Sequence, residues 1–146
     1  MNRIALVSGT VLLGAMFIAG QNNEWKYISA TRRIKVYYNP AKIKDKGNKI
    51  RQAWIKEVPS SERERKAFIA EKKSTKANFD DYAYTLTLEE HDCSNQRSRP
   101  RQIVYYDSNN EVIDLVDFTE PPNWADVIPD SIGEETNTAI CKEVVR

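Results

Sequence analysis

The feature that most limits what this chain can fold into is its pair of cysteines. Cys93 and Cys141 are the only two, and the second closes the stretch WADVIPDSIGEETNTAIC, which reads as a loop running into a helix. An even pair is a disulfide by default in an oxidising compartment, and a pair of catalytic or buried thiols in the cytosol. The reading therefore turns on where the chain goes. MNRIALVSGTVLLGAMFIAG has the three parts of a secretory signal: Arg3 as the positive start, an uncharged run from Ile4 to Ala19, and the small residues Ala19 and Gly20 at a cleavage point. The cut site is imperfect, because Phe17 or Ile18 falls three residues before it, so retention as an N-terminal anchor is the alternative; cleavage is the expected outcome, since roughly 20 apolar residues are needed to span a bilayer. Membrane contact is expected only in the uncleaved case. Gln21 follows Gly20, so no thiol is available for a lipid anchor.

Export makes the two cysteines a disulfide, and their separation is far from any metal-ligand spacing. Closing so long a loop is worth about 4 kcal/mol in the chain-entropy account. The bond would pin a C-terminal helix to the segment ending at Cys93. The expected organisation is residues 1–20 as signal or anchor and residues 21–146 as one domain, a length that suits a single core.

From Trp25 onward the pattern is mainly that of strands. WKYIS and IKVYYN are two short ones, NPAKIKDKGNK is a polar connection punctuated by Pro40 and Gly47, and a longer strand runs from Lys49 to Val58 until Pro59 ends it. Ser61 with Glu64 suggests a cap for a short helix within Ser60 to Lys73. From Asp81 to near Cys93 the period is two, with Tyr82, Tyr84, Leu86 and Leu88 on one face and Ala83, Thr85, Thr87 and Glu89 on the other. RQIVYYD and EVIDLVDF then flank SNN, whose asparagines suit the positive φ of a hairpin turn. Pro121 and Pro122 break the sheet. Ser131 and Glu134 form a capping box for a helix from Ile132 to about Cys141. Six strands with short connections imply an α+β fold, an antiparallel sheet covered by the C-terminal helix.

VYYNPAKIKDKGNKIRQAW, YTLTLEEHDC, YYDSNNEVI and W...IPDSIGEE...C, in that order, resemble the surface-adhesin protein E family of small exported domains from Gram-negative bacteria. The resemblance runs from Trp25 to Cys141 and is carried by Tyr37, Tyr38, Pro40, Ile43, Gly47, Trp54, Cys93, Tyr106, Trp124, Pro129, Ser131, Gly133, Glu134 and Cys141. Asn39 replaces an expected aspartate and Asn110 an expected hairpin glycine, while the stretch from Ser60 to Asn78 is longer and more charged than the family pattern. The resemblance implies a six-stranded antiparallel sheet, a packed C-terminal helix and a Cys93–Cys141 disulfide. The adhesin that names the family binds host matrix proteins.

Residues for catalysis are hard to assemble. His91 is the only histidine; alternation sends Glu90 and Asp92 to the opposite sheet face, and no nucleophile can be paired with it. Ser131 lacks the G-x-S-x-G elbow. The acid pairs Asp80-Asp81 and Glu89-Glu90 diverge in a strand and cannot share a proton. No enzyme activity, metal, cofactor or nucleic-acid partner is expected.

Two features point to binding. In Tyr37-Tyr38 and Tyr105-Tyr106 one ring of each pair faces the core and the other faces solvent, a partner or a covering segment. Charge is the other. Residues 21–79 carry 16 Lys and Arg against 6 Asp and Glu, and residues 80–146 carry 5 against 15, so a formal net charge of +1 conceals two halves of opposite sign. Lys42, Lys44, Lys46, Lys49 and Arg51, joined to the charged Arg63 to Lys76 segment, would form a polyanion-binding surface if the fold brings them together. Interleaved strands would instead cancel the asymmetry. The expected role is an exported binding module of the periplasm or outer cell surface, taking a protein or surface-glycan ligand, with a polyanion and a second copy of the chain as further candidate partners.

Overall fold

Strand order in the sheet follows strand order in the chain. The computed structural model describes residues 24–144; the expected signal segment and the domain boundary after residue 20 lie outside them. The main strands are β1 (Lys26–Ala30), β2 (Ile34–Tyr38), β4 (Ile50–Pro59), β5 (Tyr82–Asp92), β6 (Arg97–Asp107) and β7 (Val112–Asp117), hydrogen-bonded in that order and all antiparallel. Two two-residue pieces, β3 (Lys44–Asp45) against β4 and β8 (Ala125–Asp126) against β6, extend this sheet beyond the expected six strands. Backbone pairing across otherwise polar loops produced them, and apolar periodicity carries no trace of it. The helices are α1 (Glu62–Lys72), between β4 and β5, and α2 (Ile132–Lys142) at the end.

Both helices lie on one face of the sheet. Ile140 of α2 is fully buried in a core with Val36, Tyr38, Ile43, Ala53 and Ile55, and Ile132 and Ala139 pack against it. Burying one such aliphatic side chain contributes about 1.5–3 kcal/mol. The Cys93–Cys141 disulfide closes a separation of 48 residues and ties the last turn of α2 to the end of β5. Arg51 adds to this anchorage, its Nη1 donating to the carbonyls of Ile140 and Glu143 at 2.6 and 2.5 Å, where a helix end leaves carbonyls without partners.

At the other end of the same face, α1 docks through an aromatic group. Phe68 stacks on Tyr82 with ring centroids 4.2 Å apart, and Phe79 meets Tyr105 edge-on at 5.2 Å. This corrects the strict alternation expected of β5. A register shift between Tyr82 and Tyr84 turns Tyr82 onto the helix-covered face, where its hydroxyl lies 2.8 Å from that of Thr85. Thr85 and Thr87 are accordingly buried, while Leu86 and Leu88 on the opposite face are only half-buried. β6 also begins earlier than expected, at Arg97, and takes in Pro100. A bulge opposite Leu88 and Glu89 lets proline sit inside the strand.

Candidate functional site: the helix-free sheet face

Register assembles the second face from the backbone upward. Tyr27 pairs with Tyr37, Tyr37 with Lys56, Lys56 with Leu86, Leu86 with Val104 and Val104 with Leu115, so one row of side chains crosses all six main strands. Its ends are open, with Tyr27 58% and Leu115 50% exposed, while Val104, the neighbour of Leu115 in the row, is 4% exposed. Beside it, Trp54 pairs with Leu88 and Tyr84 with Tyr106. The Tyr84 and Tyr106 rings are stacked at 4.9 Å, and Tyr27 meets Tyr37 edge-on at 5.6 Å.

Lys56 sits among these rings, and Lys35 stands exposed on the same face two residues from Tyr37. The Lys56 ammonium lies 4.1 Å from the Tyr84 centroid and 5.6 Å from that of Trp25, and burial lowers its pKa below the usual lysine range. Burial also raises the Tyr84 phenol, with smaller contributions from Tyr106 and Asp107. The end of the face nearest the disulfide is closed over. There Arg99 lies 4.2 Å from the Trp124 ring centroid and donates to Glu90, and Arg97 donates to Asp92. What stays open is an aromatic surface that carries Lys56 and Lys35, suited to apolar, aromatic or sugar-ring contacts.

The tyrosine pairs divide between the faces. Tyr37 and Tyr106 stand on the helix-free face. Tyr38 and Tyr105 do not join them: Tyr38 is buried in the core and donates to Glu143 at 2.5 Å, its pKa pushed up to about 12 by burial and then by that carboxylate, and Tyr105 belongs to the aromatic group under α1. Trp54, Lys56 and Tyr84 belong to the open surface too, although none of them was expected there as a binding residue. The signal was available in the alternation of Trp54, Lys56 and Val58 along β4.

The basic residues divide as well. Lys42, Lys44, Lys46 and Lys49 are exposed around the turn that joins β3 to β4, where Gly47, Asn48 and Lys49 all have positive φ. Arg51 points the other way, into the end of α2, and is lost to that surface. The joint surface with α1 does not form either. The lysine turn precedes β4 and α1 follows it, so ten residues of strand, about 30 Å, separate them.

At the start of α2, Ser131 Oγ accepts from the Glu134 amide and donates to the Ile128 carbonyl, while the Glu134 carboxylate accepts from the Asp130 amide, one residue before the cap. His91 is 1% exposed and lies between sheet and α2; its Nδ1 is 3.4 Å from Asn137 Nδ2, and its Nε2 is 3.3 Å from Glu89 Oε2 but out of line for a hydrogen bond. Among the described residues no group of three His, Cys, Asp or Glu is placed to hold a metal ion, and no helix is long and apolar enough to cross a membrane.

Fold and face together define a class: a small α+β domain built on one antiparallel sheet, helices on one side only, the last one tethered by a disulfide. The sequence profile of surface-adhesin protein E matches residues 25–142, and the chain belongs to that family. No curated protein and no solved structure matches the chain. Family membership carries a surface-adhesin type of role and an exported or surface location.

Proposed function

We propose that the chain is a non-enzymatic binding module of the bacterial envelope that holds a protein or glycan ligand against its helix-free sheet face. One observation carries this reading. A row from Tyr27 to Leu115 spans six strands, flanked by Trp54 and the Tyr84–Tyr106 stack, while both helices pack on the other side. Tyrosine and tryptophan supply large, rigid contact area at low entropic cost, which suits them to such surfaces.

The test displays the chain on a non-adherent bacterium and measures retention on an immobilised basement-membrane extract. Tyr27→Ser, Tyr106→Ser and Leu115→Ser together should reduce retention about tenfold or more while leaving surface expression unchanged. Protease shaving of intact cells that carry the natural chain should remove it. Undiminished retention by the triple variant would overturn the assignment of the face, and complete protection from protease would place the protein in the periplasm.

A second reading rests on the four exposed lysines around the β3–β4 turn, which form a compact positive site for a sulfated or phosphorylated polymer. It needs no part of the aromatic face. Replacing Lys42, Lys44, Lys46 and Lys49 with glutamine separates it from the first.

A further inference from the structure

The helix-covered face holds a feature that the adhesion reading leaves unused, a cavity of about 340 Å³ between α1 and the sheet. That volume lies at the small end of the range typical of ligand pockets, about 300–1,000 Å³. Its walls come from opposite sides. Helical spacing puts Glu64, Phe68 and Glu71 on one side of α1. From the sheet, β2 contributes Ile34, β4 contributes Glu57, and β5 contributes Tyr82 and Thr85.

Glu57 is the unusual member. It pairs in register with Val36 on one side and Thr85 on the other, which places a carboxylate among side chains 2% and 5% exposed. Among the described residues it has no hydrogen-bond or ion-pair partner. Burial and then the charge of Glu89 raise its carboxyl pKa, the behaviour of an acid that lacks a nearby cation. The other two carboxylates share one guanidinium at the rim: Arg33 binds Glu71 at 2.5 Å and approaches Glu64 at 3.8 Å, with 54% of its side chain exposed. Three carboxylates therefore meet one cation, held at the mouth. Beside them, the stacked Phe68 and Tyr82 rings and Ile34 give an apolar wall.

We infer that this cavity binds an alkylammonium ion, its hydrocarbon stem against Phe68, Tyr82 and Ile34 and its ammonium on Glu57, with Arg33 as the displaceable group at the entrance. An anion would be repelled. A bare metal ion lacks its ligand set, since hard cations take six or more oxygens and no metal-holding group exists among the described residues. An ammonium on a carbon chain uses both halves of the lining, the carboxylate through a charge-assisted hydrogen bond and the rings through dispersion and cation–π attraction. Free diamines and the lysine side chain of a polypeptide share this chemistry. The site lies on the opposite face from the proposed adhesive surface and stands or falls independently of it.

The experiment titrates ¹⁵N-labelled protein at constant ionic strength with cadaverine and, separately, with Nα-acetyl-lysine-N-methylamide, following backbone amides. Saturable shifts should be confined to residues around Thr31, Ile34, Phe68 and Thr85. Glu57→Gln should weaken binding about tenfold or more, the equivalent of one charge-assisted hydrogen bond. Arg33→Gln should tighten it, because the competing internal cation is gone, and a merely structural arginine would not produce that gain. Stronger binding of cadaverine would assign the site to free diamines, and stronger binding of the lysine amide to a polypeptide side chain. If neither compound gives saturable shifts in the natural chain or in Arg33→Gln, or if sodium chloride reproduces them, the inference is wrong. It is equally wrong if a folded Glu57→Gln variant binds as the natural chain does.

Discussion

Asp92 ends β5 and organises the turn that follows it. Its carboxylate accepts from the amides of Ser94 and Asn95, from the Asn95 side chain and from Arg97, and these contacts, the Asn95 and Arg97 side chains foremost, hold its pKa down to about 2. A carboxyl held low in the folded state contributes stability that is complete above the unfolded value, about 3.9, and is lost as pH falls through the folded one. Asp92→Asn should therefore lower the melting temperature at pH 7, and the gap between variant and natural protein should close as pH falls from about 4 to about 2. Thermal melts across that range check it; a gap independent of pH would mean that the aspartate acts by shape and not by charge.

Elements differ in how firmly they are held, and the two helices show the contrast. α2 buries Thr136, Asn137 and Ile140, carries the disulfide, and has its last carbonyls bonded by Arg51. α1 has no buried residue and relies on Phe68 and on ion pairs such as Arg33–Glu71. Surface ion pairs of that kind contribute little, about 0–1 kcal/mol each. Purified protein should accordingly show no titratable thiol before reduction, and Cys93→Ser with Cys141→Ser should lower the melting temperature by several degrees or more, since a long loop is no longer closed in the unfolded chain. Calorimetry of the double variant checks this, and an unchanged melting temperature would assign the hold on α2 to packing and Arg51 alone.

Across the whole molecule, the meander of the sheet keeps the strands of the two charge halves apart, although α2 of the acidic half packs on β1 and β4 and pairs Glu143 with Lys26. Because β1, β2 and β4 come from the basic half and β5, β6 and β7 from the acidic half, the sheet is polarised from one edge to the other. Its basic side is divided in turn, between the lysine turn before β4 and the exposed cations of α1 after it. Heparin retention, if it resides in the lysine turn, should be lost when Lys42, Lys44, Lys46 and Lys49 become glutamine and kept when Arg63, Lys66 and Lys73 do. It should also fall steeply between low salt and about 0.5 M, since charges are screened over about 8 Å already at physiological ionic strength. Sedimentation at the two salt concentrations separates polymer binding from edge-to-edge association of copies. Absence of both would leave the polarity without a binding role.

Local patterns by themselves determined the strands and caps of this protein. Period-two runs marked the sheet, Ser61 and Ser131 marked helix starts, and Asn110 marked the β6–β7 turn by its tolerance of positive φ, observed at 65°. The α+β class followed from the strand runs and the capped C-terminal helix, and the disulfide from the even cysteine pair and the expectation of export. Each of these is set within a few residues or by a compartment. What the tertiary structure alone decided depends on pairing between distant segments. A bulge in β5 reassigned Tyr82 to the face opposite Tyr84, and packing of α2 took Tyr38 and Arg51 out of the candidate surface. Cross-strand register, which no single strand encodes, set Tyr37 beside Lys56 and Tyr84 beside Tyr106. Residues in one strand state only that two faces exist; which face the helices cover is settled by side chains far apart in the chain competing for the same buried area.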